Sequence, residues 1–216
     1  GGDFEVTMRL GVKHPSQKAL APLVRESATA SVSMAQGGLI GPGTLSPVIS
    51  GFCFLMPKTG AKPVVDAGAG PVACEVETAG GFTLSASASV QPVPAAPPTG
   101  PTVTLPLREL CYARSGDKGS AANIGLIARR PEYLPVLRHA LTAERVKAFF
   151  LPDCKGMVER FDLPGISGMN FLLHDTLGGG GTSSLHLDVW AKAYGQRLLE
   201  MRVDVPADWA WGQAKL

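Results

Sequence analysis

Apolar and polar positions recur with clear periods along this chain, and the pattern changes near residue 100. Phe4, Val6, Met8 and Leu10 alternate with polar neighbours, as a strand with one buried face would. His14-Pro15 marks a turn, and Ser16 is placed to cap a short helix carrying Leu20, Leu23 and Val24. Residues 37–47 form a glycine and proline loop, and 48–56 read as a buried strand. Phe82, Leu84, Ala86, Ala88 and Val90 then alternate strictly, as in a half-exposed strand. This stretch predicts the tail of an α/β domain.

The second half has a fuller pattern. A leading strand at 107–113 precedes a polar glycine loop, and 123–129 is a strand. Residues 131–139 and 143–150 are helical, the first opened by Pro131, whose fixed φ suits a first turn. Strands at 157–163 and 169–177 flank a tight Pro164-Gly165 turn. After the glycines at 178–181, Leu187, Trp190, Ala191, Tyr194, Leu198 and Met201 recur at helical offsets. Residues 202–205 close the unit as a strand, ended by Pro206. The class is α+β, and the order from residue 123 is β-α-β-β-α-β, the ferredoxin-like split βαβ, plus the leading strand.

Between the two patterns, five prolines fall from Pro92 to Pro101, which excludes helix and favours an extended linker. The expected organisation is therefore 1–91, a partial α/β unit; 92–101, the linker; 102–206, the ferredoxin-like unit; and 207–216, a tail. The chain opens Gly1-Gly2-Asp3-Phe4 without an initiator Met, so an upstream part is expected.

Composition narrows the partners. A formal net charge of +2, with 18% charged residues and no basic run, argues against a nucleic-acid surface. The longest apolar stretch, 52–56, is far short of the roughly 20 residues that span a bilayer, so no membrane is expected. Cys53, Cys74, Cys111 and Cys154 are widely spaced and form no C-x-x-C pair, which suits reduced thiols and a cytoplasmic setting. His14, His139, His174 and His186 are dispersed, so neither a metal nor another cofactor is expected.

Two glycine-rich segments carry the candidate chemistry. Around the first, Arg114, Ser115, Asp117, Lys118 and Asn123 interleave with Gly116 and Gly119. Glycines let backbone amides approach a ligand, and Lys118 adds a point charge for an anion. Spacing for a phosphate-binding P-loop is missing. A tight turn with Lys118 in solvent reads the same residues equally well. In the second segment, Gly179, Gly180, Thr182 and Ser183 precede the amphipathic pattern, where free amides suit an anion; an N-cap by Ser183 or Ser184 after a flexible loop is the alternative reading. Asn170 and His174 share strand parity, which makes His174 a possible acid or base beside Asn170. Ser115, Asp117 and His174 are the candidate catalytic residues; no G-x-S-x-G elbow supports them as a hydrolase triad.

With these residues in view, the chain resembles the acyclic terpene utilisation family of the AtuA type. The likeness rests on residues 113–119 and 122–125, Leu163-Pro164, Asn170-Phe171, the glycines at 178–181, Ser184-Leu185 and Val205-Pro206. Looser likeness runs through His14-Pro15-Ser16, Ser33-Met34 and Ser46-Pro47-Val48. The resemblance implies a larger α/β domain ahead of a ferredoxin-like one, in a pathway that degrades acyclic terpenes through branched acyl-CoA intermediates. It assigns no catalytic role to any residue. Residues 41–45 depart from the family, whose members tend to be more basic there.

Two functions follow as expectations. In one, the two glycine segments converge on an anionic small molecule, an acyl-CoA or a small carboxylate. In the other, the ferredoxin-like unit is a non-catalytic assembly module that makes a homo-oligomer or docks onto a carboxylase-related partner.

Overall fold

A computed structural model of the chain describes residues 7–33, 41, 43–51, 54–80 and 95–209. Its contacts divide into two compact units, Gly51–Pro92 and the remainder, Gly1–Ser50 with Val93–Leu216. In the larger unit a 3-10 turn at Gln17–Leu20 leads into helix α1, Ala21–Ser33. Ser16 precedes that turn as expected but makes no side-chain cap bond. Met8 and Leu10 are exposed and outside regular structure, while Phe4 and Val6 lie outside the described residues.

In the smaller unit β1, Val64–Asp66, pairs antiparallel with β2, Pro71–Ala73. The strand expected at 48–56 does not form among the described residues, and the alternation at 82–90 lies outside them. No described residue before 95 is buried. Around Met8 and Leu10 no buried apolar layer is present, so period alone does not make a strand there.

The ordered core belongs to the second half of the chain. It comprises β3 (Thr102–Pro106), β4 (Cys111–Lys118), β5 (Ala121–Ala128), α2 (Leu134–Ala140) and α3 (Ala143–Phe149). These are followed by β6 (Val158–Leu163), β7 (Gly168–Leu173), α4 (Tyr194–Leu199) and β8 (Arg202–Pro206). Four strands form one antiparallel sheet in the order β4-β5-β7-β6. β7 lies between the like-directed β5 and β6, which is the split arrangement the sequence predicts for that half.

Two differences from the expected topology follow from one cause. The leading strand does not stop at 113 but runs on through Lys118, and Gly119-Ser120 turns it into β5 with Lys118 opposite Ala121. β5 is then flanked by β4 and β7, so no edge remains beside it for the closing strand. β8 pairs instead with β3 in a separate ladder, Val103 opposite Val205. Polar and glycine content marks the residues after 113 as a loop; a backbone paired through Lys118 holds 114–118 as a strand.

The amphipathic pattern from Leu187 also forms less helix than its spacing predicts. Only Tyr194–Leu199 is helical. The Asp188 carboxylate accepts from Lys192 N at 2.8 Å and Ala193 N at 2.7 Å, and Ala191 adopts φ 51°. That side chain competes for the amides and breaks the turn. Leu187 and Trp190 are left exposed, whereas Ala191, Tyr194, Leu198 and Met201 are buried.

Alternation along β5 explains the layering. Ala122, Ile124 and Leu126 are buried, as are Met169, Phe171 and Leu173 on β7, and all face the helix layer. Leu134, Leu137, Val146, Phe150, Tyr194 and Leu198 answer them from the helices and the loop after α3. Phe150 and Tyr194 stack with centroids 5.1 Å apart, beneath the Arg197 guanidinium. On the opposite face of the sheet, Tyr112, Ile127, Phe161 and Leu163 are between 38% and 57% exposed, and no described helix packs on it.

Candidate functional site

The hairpin tip at Gly119-Ser120 and the glycine run at 178–181 meet. The Ser120 carbonyl accepts from Thr176 N at 3.0 Å and from Leu177 N at 2.9 Å, and its hydroxyl accepts from Gly179 N at 3.2 Å. Gly180 donates to Leu177 O at 3.0 Å, and a Cβ on Gly180 would stand 2.0 Å from Gly119 O. The two segments are therefore adjacent, and two amides of the run, those of Gly179 and Gly180, are already taken by Ser120 and Leu177. The Ser183 hydroxyl donates to Gly180 O at 3.0 Å, and the Thr182 hydroxyl donates to Ile49 O at 2.6 Å. Lys13 Nζ donates to Ser183 O.

On β4, Ser115 and Asp117 point to the helix side. The Ser115 hydroxyl donates to Ala191 O at 2.6 Å and accepts from Gly195 N at 2.8 Å, so it holds the start of α4 onto the strand. Asp117 Oδ1 lies 3.9 Å from Lys192 Nζ, and the same ammonium stands 3.4 Å from where a Cβ on Gly116 would be. Lys118 is exposed and donates to Asp117 O at 2.8 Å.

The outer sheet face gathers the other candidates. Backbone pairing sets them in rows across the strands. Tyr112, Ile127, Gly168 and Leu163 form one row, and Arg114, Gly125, Asn170 and Phe161 the next. Gly116, Asn123, Leu172 and Glu159 form the third. Asn123 Nδ2 donates to Asn170 Oδ1 at 2.5 Å, and His174 Nε2 is 2.6 Å from Glu159 Oε2. Arg114 is exposed on this face. Ser115 and His174 thus lie on opposite faces of the sheet, and the structure does not bring them together.

Three partners lie outside the candidate residues that the sequence singles out: Ser120, Glu159 and Lys192. Glu159 was accessible in principle, because the hairpin turned at Pro164 sets it diagonal to His174 once strand parity is fixed. Ser120 and Lys192 carried no signal, since their roles depend on contacts across the fold.

Beside α4 a cavity of about 420 Å³ is lined by Asp153, His186, Leu187, Asp188, Tyr194 and Arg197. Its charges are largely spent: Arg197 bonds Asp153 at 2.8 Å, and Asp188 caps two amides. Burial pushes the Tyr194 hydroxyl up to about 12, with Asp153 adding to the effect. Among the described residues no group of three or more His, Cys, Asp and Glu could hold a metal, and no helix is long and apolar enough to cross a membrane.

The antiparallel sheet with helices on one face defines a two-layer α+β domain of ferredoxin-like class. Residues 105–204 match the family model described as AtuA ferredoxin-like domain. No curated protein and no solved structure matches the chain.

Proposed function

We propose that this chain is an AtuA-like protein of acyclic terpene or branched acyl-CoA catabolism whose ferredoxin-like unit is a docking module rather than a catalytic one. The observation that carries this reading is the uncovered outer face of the β4-β5-β7-β6 sheet, where aromatic and aliphatic side chains stand exposed among Arg114, Asn123, Asn170 and Glu159. An antiparallel sheet tolerates one solvated face, but that face then reads polar at alternate positions. Here it is mixed, with apolar side chains beside hydrogen-bonding ones, the composition of a surface that meets protein.

The ligand reading loses support from the same geometry. The two glycine segments touch, yet they bond to each other, and the Ser115 hydroxyl has a donor and an acceptor of its own. Hydroxyl-radical footprinting of the whole chain with and without a purified acyl-CoA carboxylase, and across protein concentration, tests the choice. The docking reading expects protection of Tyr112 and Phe161 in at least one of those conditions, and no heat with acyl-CoA in calorimetry. Binding of acyl-CoA that Lys118→Ala weakens tenfold, with the sheet face unprotected throughout, would overturn it.

A further inference from the structure

The outer sheet face carries a charge pattern that selects its own partner. We propose that a second copy of this chain packs on it face to face, about a two-fold axis that runs along the strands between the two sheets. This rests on the docking reading above and names the partner.

The charges are divided between the two edges. β4 brings Arg114 and Lys118, with the Arg129 guanidinium over the Tyr112 ring beside them, and β6 brings Glu159, in contact with His174, as its outer-face charge. A two-fold axis along the strands carries the β4 edge of each copy over the β6 edge of the other and keeps the rows aligned. Arg114 then comes over Phe161 of the second copy, a guanidinium on an aromatic face, and within one row of that copy's Glu159. Tyr112, with Arg129 4.1 Å over its ring, meets Leu163 of the second copy, which covers two exposed side chains further.

Near the axis, Asn170 of the second copy comes above Gly125. A Cβ there would meet nothing closer than 3.8 Å, so the face has a shallow dent to receive it. An axis across the strands would instead stack β4 on β4 and set the basic edges against each other. Packed sheets prefer strands within about 30° of each other, which the strand-parallel axis satisfies.

With strands about 4.8 Å apart and six residues of about 3.3 Å each, the face measures roughly 19 by 20 Å. A contact of that size lies at the low end for specific association, so the dimer should be reversible and concentration-dependent.

Sedimentation velocity of the full chain over a dilution series tests this. A monomer–dimer equilibrium is expected, weakened at least tenfold by Arg114→Glu and likewise by Glu159→Arg. The double variant should recover most of the affinity, a rescue that misfolding cannot imitate; circular dichroism of each variant checks the fold. A chain that stays monomeric at the highest concentration overturns the proposal, and so does a dimer indifferent to both substitutions. If a carboxylase protects the face of a monomeric chain, the second-copy proposal falls and the docking reading stands. If nothing protects it, both fall.

Discussion

Gly180 packs its Cα against the carbonyl oxygen of Gly119, so closely that a Cβ would sit 2.0 Å from that oxygen. The two glycines differ in kind. Gly119 has φ 67° with open space around it, while Gly180, at φ 68° and ψ 170°, is in a region reserved for glycine and against backbone. Gly119→Ala should cost about 1 kcal/mol, the strain of a left-handed turn. Gly180→Ala should cost roughly 3 kcal/mol, because neither backbone can yield. Urea unfolding of both variants checks the order, and equal costs would mean the run is not locked on the hairpin tip.

Ser115 works as a bracket in this structure. Ser115→Ala leaves the Gly195 N–H and the Ala191 carbonyl without the hydroxyl that joins them. Unsatisfied buried backbone groups cost about 1–3 kcal/mol, so urea unfolding of the variant should show a loss of stability of that size. The wild-type hydroxyl should stay unlabelled by a fluorophosphonate probe. Labelling at Ser115 would return it to the role of nucleophile.

Burial pushes the Cys111 thiol up to about 12, against a smaller downward pull from Arg129. The folded state then keeps a proton that the unfolded chain gives up near 9.0, the ordinary value of the thiol. With the folded value raised, this contribution to stability is whole below pH 9.0 and is lost as pH rises toward about 12. The slope approaches roughly 1.4 kcal/mol per pH unit within that window. Tyr194, also raised to about 12, adds to the loss. Comparison with Cys111→Ala isolates the thiol: the variant's urea midpoint should fall less steeply between those limits. Parallel slopes would show that Cys111 is not the group responsible.

How much of this was legible depends on which residues pair locally. The split order of β5, β6 and β7 and both helices between β5 and β6 follow from apolar period, Pro131 and the Pro164-Gly165 turn. The extension of β4 through Lys118 did not, because Gly116 and Asp117 look like loop residues and only the partner strand makes them extended. Asp188 shortened α4 by taking the amides of Lys192 and Ala193, a competition that periodicity does not register. At the candidate site the meeting of the two glycine segments was foreseeable as a possibility. That they would satisfy each other through Ser120 was not, since a hydroxyl and a carbonyl in a turn carry no sequence mark of their partner.

Arg138 supplies the sharpest test of the core beneath α2. Its side chain is only 5% exposed and pairs with Asp162 on β6, while Arg160 donates to Arg138 O at 2.8 Å and Leu141 O at 3.0 Å. Two guanidinium groups thus meet one carboxylate under the end of the helix, with Arg160 also closing carbonyls that α2 leaves open. Removing Arg138 alone leaves Asp162 facing a largely buried site with only the more distant Arg160, 3.9 Å away. Breaking a buried pair from one side costs roughly 3–5 kcal/mol, and the partial exposure of Asp162 puts this case at the lower end. Removing both partners leaves no orphaned charge. Arg138→Leu should therefore destabilise by about 3 kcal/mol, and Arg138→Leu with Asp162→Leu by clearly less than the sum of the single changes. A double-mutant cycle in urea measures the difference. Strict additivity would show that the carboxylate is solvated well enough to need no partner, and that α2 is held to the sheet by its apolar face alone.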